Sequence, residues 1–166
     1  MKTCTQKITA SSLLAAIIFV VTRFIQIPLP AVGYVNLGDV FVILTGWLLP
    51  GWYGFLAAGI GSALADILSG FVIYAPVTFL IKGLMAFLTG VIFKAFSKNA
   101  NIVIKGLAAG LIAEILMIAG YLVYESFLYG FKTALLSVPF NSIQGVIGMV
   151  LGAELINVIL KTKLFK

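Results

Sequence analysis

Residues 74–96 form one apolar run long enough to cross a bilayer, and a lysine, Lys82, sits deep within it. A spanning helix needs about 20 predominantly apolar residues, and two helical turns from Tyr74 place Lys82 about 12 Å below the edge of a hydrocarbon core about 30 Å thick. A lysine can snorkel only by the reach of its own side chain. Holding one near the middle of a spanning helix costs about 2.5 to 3.5 kcal/mol on insertion scales, so the charge must face a partner or a watery cavity. The chain is thereby restricted to folds in which several helices enclose a polar interior.

The apolar character extends over nearly the full length. Of 166 residues, 62% are hydrophobic and 10% charged, against about 25% charged in soluble domains. With a mean hydropathy of +1.19, this excludes a soluble domain carrying a cleaved signal or a single anchor. Breakers divide the chain into six helical segments, 8–27, 36–49, 52–68, 74–96, 102–124 and 134–160, the second of them short. Pro28 and Pro30 end the first, Pro50 and Gly51 turn the chain after the second, and Ser69 and Gly70 follow the third. The expected architecture is an all-α integral membrane protein, a bundle of six transmembrane helices in which residues 1–166 make a single domain.

Cytoplasmic loops collect Lys and Arg near membrane ends. Lys2, Lys7, Lys94, Lys98, Lys105, Lys161, Lys163 and Lys166 all fall on one side of a six-helix arrangement, which predicts that both termini are cytoplasmic. Lys132 is the only loop lysine on the other side, within the connection 125–133. The net charge of +6 is thus a consequence of topology. Basic residues at helix ends make no groove with interleaved aromatics, so no nucleic-acid partner is implied. Cys4 has no second cysteine and the chain has no histidine, which leaves no disulfide, no Cys/His metal set and no implied cofactor; lipidation is the one modification open to Cys4.

Small residues at helical spacing let helix backbones approach closely. Gly54, Ala58, Gly61 and Ala65 do so on the third segment, and Gly145, Gly148 and Gly152 on the sixth, where packing within the bundle is the expected use. On the first, Ser11, Ser12, Ala15 and Ala16 make two overlapping small pairs near the cytoplasmic end, where a partner helix can dock.

Depth orders the polar residues inside the spans. Asn141 and Gln144 share a face of the last helix about 10 to 15 Å below its outer end, and Glu114 lies about 15 Å below that of the fifth, on a stripe with Met117 and Tyr121. Lys82 has comparable depth, with Thr78 one turn above it. A cation, an anion and two amides therefore occupy one outer-half layer, with Tyr74, Tyr121 and Tyr124 nearer the mouth. Two uses fit this layer: a buried Lys82–Glu114 ion pair with the amides as interhelical glue, or a small-ligand pocket with aromatic walls and a few directional polar groups. The two can coexist. In the loop after Pro28, Asn36 or Asp39 suits the cap of the second helix, and Arg23 can snorkel outward or pair with Asp39 or Asp66; structural roles are expected for Arg23, Asp39 and Asp66.

Four strings then carry a resemblance across almost the whole chain: Tyr34-Val35-Asn36-Leu37-Gly38-Asp39, Gly61-Ser62-Ala63-Leu64-Ala65-Asp66-Ile67-Leu68-Ser69-Gly70, Tyr74-Ala75-Pro76 with Lys82-Gly83, and Pro139-Phe140-Asn141-Ser142-Ile143-Gln144-Gly145. In this order they resemble the substrate-binding S components of energy-coupling factor (ECF) vitamin transporters, nearest to the hydroxymethylpyrimidine, pyridoxine and pantothenate branch, with riboflavin a further candidate substrate. The resemblance implies a six-helix subunit of a prokaryotic plasma membrane that captures a vitamin outside, joins a transmembrane coupling subunit and two ATPase subunits, and releases the vitamin inside. It implies a site in which Lys82, Glu114, Asn141 and Gln144 meet the ligand, Tyr74 or Tyr121 stacks on it, and the segment holding Tyr34 and Asn36 closes as a lid. It also implies a docking surface for the coupling subunit at Ser11 and Ala15 or at Ser12 and Ala16. The chain has no GxxxxGK[ST] phosphate loop, so ATP hydrolysis falls to other subunits and the chain itself is no enzyme.

A channel or ion-coupled carrier is the main rival, since intramembrane Lys, Glu and Asp can relay protons; the halves of the chain show no inverted repeat to support it. A membrane enzyme is the weaker rival, for want of histidine and of paired carboxylates at convincing spacing.

Overall fold

A computed structural model describes residues 3–29, 33–49, 51–97 and 100–162. Lys2, Pro30, Pro50, Lys98, Lys163 and Lys166 lie outside them. Helix α1 (Cys4–Phe24) begins at a capping box, in which Thr3 accepts from the backbone of Gln6 and the Gln6 side chain answers to Thr3. After it comes a two-stranded antiparallel hairpin, β1 (Gln26–Pro28) and β2 (Tyr34–Asn36), in the register Gln26↔Asn36, Ile27↔Val35 and Pro28↔Tyr34. Helices α2 (Gly38–Leu48), α3 (Trp52–Leu68), α4 (Ala75–Ala95), α5 (Ile102–Tyr129), the short α6 (Phe131–Ala134) and α7 (Val138–Lys161) complete the chain.

Several boundaries differ from those expected. The first helix stops at Phe24, because Gln26–Pro28 leaves it to pair as a strand. The fifth continues to Tyr129 and takes in Glu125, which the sequence reading placed in a loop; it ends at Gly130, whose φ of 84° suits glycine. Among the described residues four segments are long and apolar enough to cross a membrane: Cys4–Phe24, Ala75–Ala95, Ile102–Tyr129 and Phe131–Lys161. At 1.5 Å per residue α2, with 11 residues, covers only about half the hydrocarbon thickness.

That short helix is the hub. α2 packs on α4, α7 and α1, and Gly38 through Gly46 are almost all buried. Gly46 makes the approach to α4 close: a Cβ there would lie 2.3 Å from the Ala86 carbonyl oxygen. Gly61 does the same for α3 on α1, with a Cβ position 2.5 Å from the Ala15 carbonyl oxygen. Ile18, Val42, Ala58, Ile81, Met85, Ala86, Ala113 and Met117 fill the mid-bundle core. The outward faces are the apolar ones, with Leu64, Leu80, Ile115 and Ile143 all exposed, while Asp39, Asp66, Lys82 and Glu114 are buried. This inverted distribution is what a chain surrounded by lipid requires.

Candidate substrate-binding site

The hairpin covers a cavity whose walls come from every main helix but α2. Thr22 stands on α1, Ser62 and Asp66 on α3, Thr78 and Lys82 on α4, Tyr121 and Glu125 on α5, and Asn141 and Gln144 on α7; Tyr34 and Asn36 reach it from β2, and Phe71 and Tyr74 from the turn before α4. In this closed form it measures about 30 Å³, the room of a few water molecules.

The hairpin is latched on both sides. Tyr34 donates its hydroxyl to Asp66 Oδ1 at 2.6 Å. Burial and the adjacent Asp66 carboxylate hold the Tyr34 phenol well above its usual range, so it remains a donor. The Asn36 backbone N–H donates to Gln144 Oε1 at 2.7 Å, and its side chain accepts from the Gly38 N–H, satisfying one of the open donors at the start of α2. The N-cap position itself is Leu37, which makes no side-chain cap bond, so of the two residues expected to cap α2 neither is its N-cap, and Asn36 only bonds the first helical N–H from one residue before it.

Asp39 does something else. It is fully buried, forms an ion pair with Lys82 through Oδ1, and accepts from Gln144 Nε2 at 2.6 Å through Oδ2. Among the described residues this is the only salt bridge. The expected pairing of Lys82 with Glu114 is not found; Asp39, which the sequence suggested as a cap or a partner of Arg23, holds the charge instead. Arg23 lies over the Phe24 ring at 5.8 Å and pairs with neither Asp39 nor Asp66. The Met117 thioether sits beneath the pair, 3.0 Å from Lys82 Nζ and 3.3 Å from Gln144 Nε2. An unbroken chain of contacts thus runs from the hairpin backbone through Gln144 and Asp39 to Lys82. The links from Gln144 to Asp39 and from Asp39 to Lys82 are buried and charge-assisted, the stronger kind, whereas the Asn36–Gln144 link is neutral and part-buried.

The aromatic side is formed by Tyr74 and Tyr121, with ring centroids 6.5 Å apart, and by Phe71 at 5.0 Å from Tyr34. Tyr121 shares a hydrogen bond with Thr78 at 3.0 Å, and its ring lies 5.7 Å from Lys82 Nζ. Tyr74 donates to Glu125 Oε1 at 3.3 Å, and Ser137 donates to Glu125 Oε2 at 2.5 Å. Tyr124 bonds to the Ile73 carbonyl at the rim. Elsewhere in the lining Thr22 Oγ1, Ser62 Oγ and Asp66 Oδ2 are buried with no hydrogen-bond partner. Buried polar atoms normally have partners, so these three oxygens are free to hydrogen-bond with a molecule occupying the cavity.

Lys82, Asn141, Gln144, Tyr74, Tyr121, Tyr34 and Asn36 thus come together around the cavity. Glu114 does not line it; α5 turns it toward Gly145 and Gly148 of α7. The sequence reading missed Asp66, Glu125, Thr22 and Ser62 as cavity residues, and Asp39 as the acid outside the lining that holds Lys82. A signal for Asp39 was present: an acid followed directly by Val40, Phe41, Val42, Ile43 and Leu44 has little access to water on its own helix. On α1 the two small pairs separate, Ser11 and Ala15 being half-buried beside α3 and Ser12 and Ala16 exposed.

The family model described as "ECF-type riboflavin transporter, S component" matches residues 2–161. The chain is also similar to an "uncharacterized protein in gap 3′region" of Pyrococcus woesei, with 35% identity over 137 residues, covering 82% of this chain and 89% of that protein.

Proposed function

Since this chain belongs to the family of ECF-type riboflavin transporter S components, we propose that its cavity captures riboflavin from outside the cell beneath the β1–β2 hairpin. Members of the family are membrane-embedded substrate-binding subunits rather than enzymes, and they work with a transmembrane coupling subunit and ATPase subunits. The observation that carries the substrate reading is the pairing of a latched hairpin with three orphan oxygens under it. Thr22, Ser62 and Asp66 suit a chain of ligand hydroxyls; Tyr74 and Tyr121 suit a flat ring; Lys82, Asn141 and Gln144 suit the ring's polar edge. A ligand of this size needs the hairpin to lift, which breaks the Tyr34–Asp66 and Asn36–Gln144 bonds, and to close again over it.

In this reading residues 1–166 are one domain in a prokaryotic plasma membrane, six main helices form the membrane bundle with the short α2 reaching only part of the way through the hydrocarbon core, and both termini share the side on which the coupling subunit docks. The face of α1 carrying Ser12 and Ala16 is the one open to that subunit. A second reading, a single-ring vitamin such as hydroxymethylpyrimidine or pyridoxine, is favoured by the small closed cavity, which such a ligand would enlarge least. The test is to purify the protein, identify any bound small molecule by mass spectrometry, and titrate riboflavin against the wild type and Lys82→Ala. Riboflavin bound by the wild type and lost from the variant is the expected result. A single-ring vitamin in its place selects the second reading. Gradient-driven uptake by the chain alone, with no ATPase present, would replace both with an ion-coupled carrier.

A further inference from the structure

Glu114 is 4% exposed, and neither of its carboxylate oxygens has a hydrogen-bond partner. A buried polar group left in this condition costs about 1 to 3 kcal/mol, and a charged one more. Its place explains what it can do. A Cβ on Gly148 would lie 2.8 Å from both Glu114 Oε1 and Asp39 Cβ, so the Glu114 carboxylate and the Asp39 side chain meet at one position where α7 offers no side chain. The charged groups acting on Glu114 are Asp39 from α2 and Lys82 from α4; α7 presents Gly145 and Gly148, with Ser142, Val146 and Met149 nearby, and no charge. Met117, one turn along α5 on the same face, already touches Lys82 Nζ at 3.0 Å. Two acids on α2 and α5 therefore flank one ammonium, and only Asp39 holds it.

Asp39 is also the acid tied to the hairpin. It lies in the first turn of α2, just beyond β2, and shares Gln144 with the Asn36 backbone. Lifting the hairpin removes one bond from Gln144 and pulls on the segment that carries Asp39. A buried ammonium whose partner is withdrawn must find another, because leaving it unpaired costs about 3 to 5 kcal/mol. We infer that Glu114 is that second partner: it receives Lys82 when the hairpin opens, and as a positioning residue it sets the rate at which the cavity exchanges ligand. This rests on the hairpin acting as the cover in the capture role above.

A double-mutant cycle of thermal stability, measured on the ligand-free protein in detergent, tests the pairing independently of any substrate. Asp39→Asn alone should be tolerated, because Lys82 moves to Glu114, and Glu114→Gln alone should leave the melting temperature unchanged or higher. The double variant should lose far more than the sum, a coupling of about tenfold or greater in the unfolding equilibrium, and the excess should disappear in a Lys82→Met background. Additive losses, or an equal excess without Lys82, overturn the inference. The kinetic arm uses riboflavin: Glu114→Gln should slow association and dissociation together by about tenfold while the Kd stays within about twofold. A weakened Kd with unchanged association would make Glu114 a ligand contact or a structural residue and overturn its positioning role. If the wild type binds no riboflavin, the substrate reading fails and the stability cycle still decides on Glu114.

Discussion

The two ends of the bundle are held together by different physics. At the hairpin end, cohesion comes from a few directional bonds, Tyr34 to Asp66, Asn36 to Gln144, Gln144 to Asp39 and Asp39 to Lys82. Toward the opposite end, where α2, α4 and α7 finish and α5 begins, Leu14, Ile43, Leu44, Leu49 and Ile156 make an apolar cluster backed by Phe93 and Ile102. Directional bonds can be broken one at a time and remade with a ligand. Close apolar contacts resist any gap, since a void forfeits dispersion on all its walls. The hairpin end can therefore exchange its bonds one at a time, as the proposed capture requires, while the other end is fixed by close packing.

The contrast can be broken hardest at Lys82. Lys82→Met leaves Asp39 buried without its cation and should cost about 3 to 5 kcal/mol, read as a large fall in melting temperature in detergent together with loss of riboflavin binding. Gly46→Ala tests the fixed packing: its new methyl meets the Ala86 carbonyl, which belongs to a helix backbone and cannot step aside, so about 1 to 3 kcal/mol of stability should go. Binding by the molecules that remain folded should be unaltered; a weakened Kd at full stability would show that the packed region also shapes the site. Tyr34→Phe removes one latch bond and leaves the buried Asp66 carboxylate without that donor, so it should speed riboflavin dissociation by about tenfold, the equivalent of 1.4 kcal/mol, and lower stability by about 1 to 3 kcal/mol. Smallest in its effect on the isolated protein is Ser12→Leu, on an exposed face of α1, which should change stability by less than about 0.5 kcal/mol. Its effect should appear only as lost co-purification with the coupling subunit, and unimpaired assembly would place docking elsewhere.

Much of this was legible from the chain. Apolar runs and their breakers gave the helical segments to within a few residues, and helical rise gave depths that correctly grouped Lys82, Asn141 and Gln144 near one cavity. The hairpin was not legible, because strands as short as Gln26–Pro28 and Tyr34–Asn36 hold too few residues for an alternating pattern to show. Asp39 misled for a related reason: an acid at a helix start is most simply a cap, and nothing in the local sequence says that another helix brings a lysine to it. Glu114 has the right depth and the wrong direction. Rise along a helix is one coordinate, and the side of the helix that meets a given neighbour is another.

What the sequence determined by itself was the class of protein and the position of each polar group along its helix, since these follow from transfer free energies and a rise of 1.5 Å per residue. Which acid holds Lys82 was decided by tertiary structure alone. Ion pairing requires contact within a few ångströms, and that contact depends on how far α2 sinks between its neighbours and how closely Gly46 and Gly148 let the backbones approach. Those distances are properties of the packed bundle, and no single helix contains them.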